Sequence, residues 1–186
     1  MSVSILKHMF TVDEYDQMGR SGIFSEDDRV ELIEGEIIEM TPIGLRHAAG
    51  VARVGSIFFR LLDPTAIVWI QNPIRLSDNS EPEPDLTLLK PRADYYEQAH
   101  PTPADILLIV EVADTSFEFD TRVKVPLYAQ HGILEVWVVD LDKKLIIRYR
   151  NPSPQGYTVI EQFHPGQTLS PLAFPECKIA VKDILG

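Results

Sequence analysis

The spacing of apolar positions along this chain changes from segment to segment, and each change predicts an element. Thr11-Val-Asp-Glu14 has the spacing of a capping box and predicts a short helix running to about Gly19-Arg20. From Val30 to Met40, apolar residues flank Glu34-Gly35-Glu36, the pattern of a β-hairpin. From Arg46 to Leu62 the period becomes helical. Val51, Val54, Phe58 and Leu61 share one face, and His47 falls with them. Arg46, Arg53 and Arg60, seven apart, form a stripe beside that face. Asp63-Pro64 ends the helix.

Ile67–Ile70 and Asp85–Leu89 read as strands, separated by the polar, proline-bearing loop Ser77–Pro84. Pro91 to Pro103 is a second long connection. Ile106–Val112 and Leu134–Val139 are nearly continuous apolar runs, as expected of central strands covered on both faces. Between them, Asp120 to His131 predicts a helix with Asp120 as N-cap and Gly132 as stop. Pro126 interrupts its N–H ladder. Lys144–Arg150 and Tyr157–Phe163 flank Asn151–Gly156 as a second hairpin, and Lys178–Val181 predicts a last short strand. No repeat or linker divides the chain, so residues 1–186 read as one domain. The element order implies an α/β (α+β) fold: a mixed β-sheet flanked by helices, with an N-terminal helix and β-hairpin.

Composition narrows the class. With 186 residues and 45% hydrophobic content, the chain has the length and apolar content for a core, which excludes disorder as its main state. Cys177 is alone, which excludes a disulfide scaffold. No apolar run approaches the roughly 20 residues that span a bilayer. Met1 to Phe10 carries no secretory-signal pattern. The expectation is a cytoplasmic protein without membrane association. The formal net charge of −11 speaks against a broad phosphate-binding surface. That charge is uneven: residues 1–40 and 78–120 carry −7 and −9, while residues 41–77 and 121–186 carry +3 and +2.

Chemistry is signalled by polar residues stranded in apolar surroundings. Glu111 interrupts a central strand, and burying an acid there costs several kcal/mol unless it is paired or binds a cation. Asp85 opens a strand after Glu81-Pro-Glu-Pro84, and Lys124 lies 13 residues after Glu111. Two strand acids and a nearby lysine suit a Mg²⁺ site, because hard divalent cations take carboxylate oxygens and retain water. The histidines His8, His47, His100, His131 and His164 show no metal-ligand spacing. Cys177 has no partner for thiol catalysis, and no glycine loop is built to cradle phosphate.

At this point the residues resemble the Uma2 family, also known as DUF820, a branch of the PD-(D/E)XK nuclease superfamily. The matching segments are VELIEGEIIEMTP (30–42), RHA (46–48), EPDLTLLK (83–90), LLIVEVADTS (107–116), DTRVKVPLYAQHGILEVWVVDL (120–141) and LSPLAFPE (169–176). The resemblance implies a restriction-endonuclease-like sheet and metal-dependent hydrolysis of DNA. It implies that Asp85 and Glu111 are Mg²⁺ (or Mn²⁺) ligands, with the Val112 carbonyl beside them. Ala113 stands where the superfamily usually has lysine, and Lys124 matches the lysine that the Uma2 pattern places on the following helix. Glu31 matches an early acid that completes the catalytic set. His47 and Tyr128 are accessory candidates, and Arg46, Arg53 and Arg60 are candidates for DNA contact. A homodimer is also implied. The alternatives are an inactive nuclease-fold binding or dimerisation module, or a metal-dependent hydrolase of a smaller phosphoester.

Overall fold

A computed structural model describes residues 6–25 and 27–186. The first five residues, part of the segment read above for a signal, lie outside the described residues. The chain opens with α1 (Val12–Arg20), and its capping box forms as the spacing predicts: Thr11 and Glu14 exchange side-chain and backbone hydrogen bonds. The hairpin follows as β1 (Val30–Ile33) and β2 (Glu36–Glu39). Its turn needs left-handed backbone at both central residues, and Glu34 (φ 48°) and Gly35 (φ 80°) supply it. A methyl group on Gly35 would stand 2.8 Å from Met9 Cβ, so only glycine fits there.

Six strands form the main sheet: β3 (Ile67–Ile70), β4 (Leu86–Leu89), β5 (Ile106–Ala113), β6 (Glu135–Asp140), β7 (Leu145–Ser153) and β8 (Gly156–Phe163). They lie side by side in chain order, and only β5 and β6 run parallel. Alternation along β5 divides the core. Leu108, Val110 and Val112 point to one face, packed by α2 (Leu45–Leu62). Ile109 and Ala113 point to the other, with Glu111 between them and α4 (Val125–Gln130) above. Gly50 brings α2 close to β5: an added Cβ would stand 2.7 Å from Val112. That contact seats His47, one turn earlier, beside the end of β5.

Three sequence expectations are corrected. Leu61 is 44% exposed, while Leu62 is buried at 1%. At 100° per residue Leu62 lies about 20° from Val51 and Leu61 about 80° away, so Leu62 completes the buried face. Asp120 is not an N-cap. Helix begins earlier, at α3 (Phe117–Phe119), and continues through a π-helical turn, Asp120–Lys124, into α4. Pro126 explains the turn. It has no N–H to donate and its ring crowds the preceding carbonyls, so Val125 bonds back to the Asp120 carbonyl, five residues away. The last predicted strand shortens to β10 (Ile179–Ala180), which pairs with β9 (Thr168–Leu169) and leads into α5 (Val181–Leu185).

Candidate active site

Four pieces of chain meet at one end of the parallel strand pair. The strand β4 stops where Pro84 removes an N–H, and Asp85 sits at that end, beside the Leu86–Val110 pair of the β4–β5 ladder. The Asp85 N–H donates to Glu111 Oε2 at 3.2 Å, and the Val112 N–H donates to Asp85 Oδ2 at 2.8 Å. The two strand acids are therefore locked together through main chain. The hairpin delivers Glu31, whose Oε2 accepts from the Glu83 N–H at 3.0 Å. The π-helical turn delivers Lys124, because the extra residue in that turn rotates both Asp120 and Lys124 inward, where both are buried.

Lys124 is the hub. Its Nζ lies 3.2 Å from Glu31 Oε2 and 3.3 Å from Glu111 Oε1, and it donates to the Glu83 carbonyl at 3.3 Å. Burial alone would push its pKa down. The carboxylates of Glu111, Glu31, Asp120 and Asp85 more than reverse this and hold it charged. Glu111 is 2% exposed. Its burial pushes its pKa up to about 8, against the pull of Lys124 and the Tyr128 hydroxyl. Asp120 is raised to about 6, again by burial, although Ser116 donates to its Oδ2 at 2.6 Å. Tyr128 lies beneath the site and donates to Glu111 Oε1 at 2.6 Å.

His47 approaches from α2. Its Nε2 is 2.9 Å from Asp85 Oδ1, and this hydrogen bond raises its pKa, with a smaller contribution from the Val112 carbonyl. The side chain read first as an apolar-face histidine thus joins the acids. The arginine stripe does not. Arg46 pairs with Asp114 and Asp142 at 3.1 Å each. Arg53 donates to the carbonyls of Ile184 and Leu185 at the chain end, and Arg60 lies two turns further along α2, away from the cavity. Two participants escaped the sequence reading: Asp120, and the Arg29–Glu83 pair at 3.2 Å on the cavity wall. The D-x-x-x-K spacing of Asp120 and Lys124 was the available signal for the first.

These side chains line a cavity of about 380 Å³. The donor set suits a hard cation in its chemistry. Among the described residues, Glu31, Asp85, Glu111 and Asp120 surround a single lysine, and Glu31 Oε1 is buried without a hydrogen-bond partner. Among the described residues no three His, Cys, Asp or Glu donors already converge on one point. Asp85 Oδ1 is engaged by His47 and Glu111 Oε1 by Lys124 and Tyr128. A cation would be received by exchange of these partners.

A mixed sheet that brings two strand acids and a helix-borne lysine to one end defines the restriction-endonuclease-like class. The chain belongs to the Uma2 family, described as "Putative restriction endonuclease", which matches residues 12–182. A crystal structure of a putative nuclease belonging to DUF820, from Anabaena variabilis ATCC 29413, has the same fold: TM-score 0.76 and 21% identity, over 95% of this chain and 97% of that one. No curated protein matches. No helix of the described residues is long and apolar enough to cross a membrane.

Proposed function

We propose that this chain is a divalent-cation-dependent endonuclease that hydrolyses phosphodiester bonds in DNA. One observation carries the reading: among the described residues three buried acids, with Asp85 at the mouth, enclose one lysine, and one buried carboxylate oxygen has no partner. Asp85 and Glu111, with the Val112 carbonyl, would hold Mg²⁺ or Mn²⁺. When bound, the ion supplies Lewis-acid stabilisation of the scissile phosphate and lowers the pKa of water at the site.

The chain's own residues do the rest. Lys124 keeps its proton among the acids, so it acts as a fixed positive charge facing the developing phosphorane oxygens. Glu31 Oε1, which has no hydrogen-bond partner among the described residues, would be the acceptor that orients the attacking water. Tyr128 fixes the rotamer of Glu111, and His47 fixes that of Asp85. A homodimer would set two such sites on two strands.

The test is purified protein on plasmid and single-stranded DNA with Mg²⁺ or Mn²⁺. Cleavage that chelator abolishes and Glu111→Ala removes is the expected result. No cleavage by the wild type, or equal cleavage by Glu111→Ala, would sink the reading. Calorimetry separates the inactive-module alternative: a nuclease binds Mn²⁺ through Asp85 and Glu111, whereas a dead module binds it no better than the doubly alanine-substituted chain.

A further inference from the structure

The walls of the cavity differ sharply in chemistry. The floor is ionic, and among the described residues seven carboxylates line the cavity against Arg29, Lys124 and the imidazole of His47. Each of these three is already engaged: Arg29 by Glu83, His47 by Asp85, Lys124 by Glu31 and Glu111. The wall above is apolar, built from Ile38, Met40, Ile43 and Phe119. This wall is tied to the acids by the backbone. Ile38 is the direct cross-strand partner of Glu31, so the two side chains share one face of the hairpin. Phe119 immediately precedes Asp120. Ile43 is 43% exposed, four residues before His47.

A duplex presents one negative charge per roughly 1.7 Å of its axis and docks through several phosphates at once. Among the described residues the lining holds one arginine, Arg29, already paired with Glu83, so it offers no row of free cations to successive phosphates. A single unpaired nucleotide makes a different demand. It brings one phosphate to the floor and a flat apolar base to the wall, and every base has such a face. A cavity of about 380 Å³ is within the range of small-ligand pockets. We infer that the site takes one unpaired nucleotide of a DNA strand, its base packed on Ile38, Met40, Ile43 and Phe119 and its phosphate turned to Lys124. This rests on the nuclease reading and names its substrate class: single strands, overhangs and bulges rather than continuous duplex.

The experiment compares three substrates of one sequence with Mn²⁺: a single-stranded oligonucleotide, its blunt duplex, and the duplex with a central unpaired bulge. Single strand and bulge are expected to be cut at least about tenfold faster than the duplex. Ile43→Ser and Phe119→Ala should each slow single-strand cleavage by about tenfold, with calorimetric Mn²⁺ affinity unchanged. Equal rates on all three substrates overturn the inference and leave the nuclease reading intact, as do wild-type rates in both variants. Cleavage of a thymidine 5′-aryl phosphate but of no oligonucleotide overturns the strand assignment. Failure of every substrate removes the nuclease reading and this inference with it.

Discussion

Two neighbouring strands each carry a glutamate inside an apolar run, and the two acids have opposite surroundings. Glu135 starts β6 and is fully buried. Its Oε1 accepts from Arg150 at 2.7 Å and from the Trp137 indole N–H at 2.9 Å, and its Oε2 accepts from the Leu172 N–H. One acid meets one guanidinium, and both oxygens are satisfied. Glu111 lies near the far end of β5, on the other face of the sheet, and it shares one lysine with Glu31 and Asp120. The first acid is balanced and closed off. The second stands in a surplus of negative charge that opens on a cavity. Burial alone does not mark a site; burial without enough countercharge does.

Substitutions can break or sharpen this contrast. The largest expected effect is on activity: Asp85→Ala and Glu111→Ala should each lower metal-dependent DNA cleavage on the order of 10²–10³-fold in a plasmid assay. Next is stability. Glu135→Ala leaves Arg150, the Trp137 N–H and the Leu172 N–H without their acceptor, and should cost about 3–5 kcal/mol by urea unfolding. Glu111→Gln should cost little or stabilise, because burial already favours its neutral form. If Glu111→Gln unfolds the chain while Glu135→Ala is silent, the contrast is reversed.

A smaller effect is the pH dependence. Glu111 and Asp120 have folded pKa values raised to about 8 and about 6. The folded state therefore binds more protons than the unfolded one between roughly pH 4 and 8. In chelator, the stability tied to these groups is fully present below about pH 4. It is lost as pH rises through 6 to 8, by on the order of 1.4 kcal/mol per unit of pKa difference. Added Mn²⁺ should raise the melting temperature more at pH 8 than at pH 6, with protons released on binding. A metal-induced shift that is flat with pH would contradict this. Smallest are the arginines of α2. Arg53→Ala loses two hydrogen bonds to the chain-end carbonyls and should cost about 1 kcal/mol. Arg60→Ala should stay within about 0.5 kcal/mol in the same unfolding assay.

Legibility in the sequence followed the range of the signal. The hairpin, α1, α2 and the central strands obey local periods and caps, so they read directly. Glu111 and Asp85 stand out because an acid inside or opening an apolar strand needs an explanation, and Lys124 stands out as the lysine 13 residues after Glu111, where the family pattern also has one. Glu135 satisfies the same local criterion as Glu111. Only Arg150 and Leu172, distant in sequence, show that it is structural. D-T-R-V-K has the look of a helix start, so the local sequence makes Asp120 an N-cap. The π-helical turn that buries it depends on Pro126 and on helix continuing back to Phe117. The pairing of His47 with Asp85 depends on Gly50 letting α2 approach β5, a tertiary contact that periodicity cannot express.

The central claim is that the surplus acids receive a divalent cation at Asp85 and Glu111. Anomalous scattering from a crystal of this chain soaked in Mn²⁺ tests it most directly. The predicted result is a peak about 2.0–2.6 Å from carboxylate oxygens of both residues, with His47 released from Asp85. A soaked crystal with no peak between them, Asp85 still held by His47 and Glu111 by Lys124 and Tyr128, would contradict it.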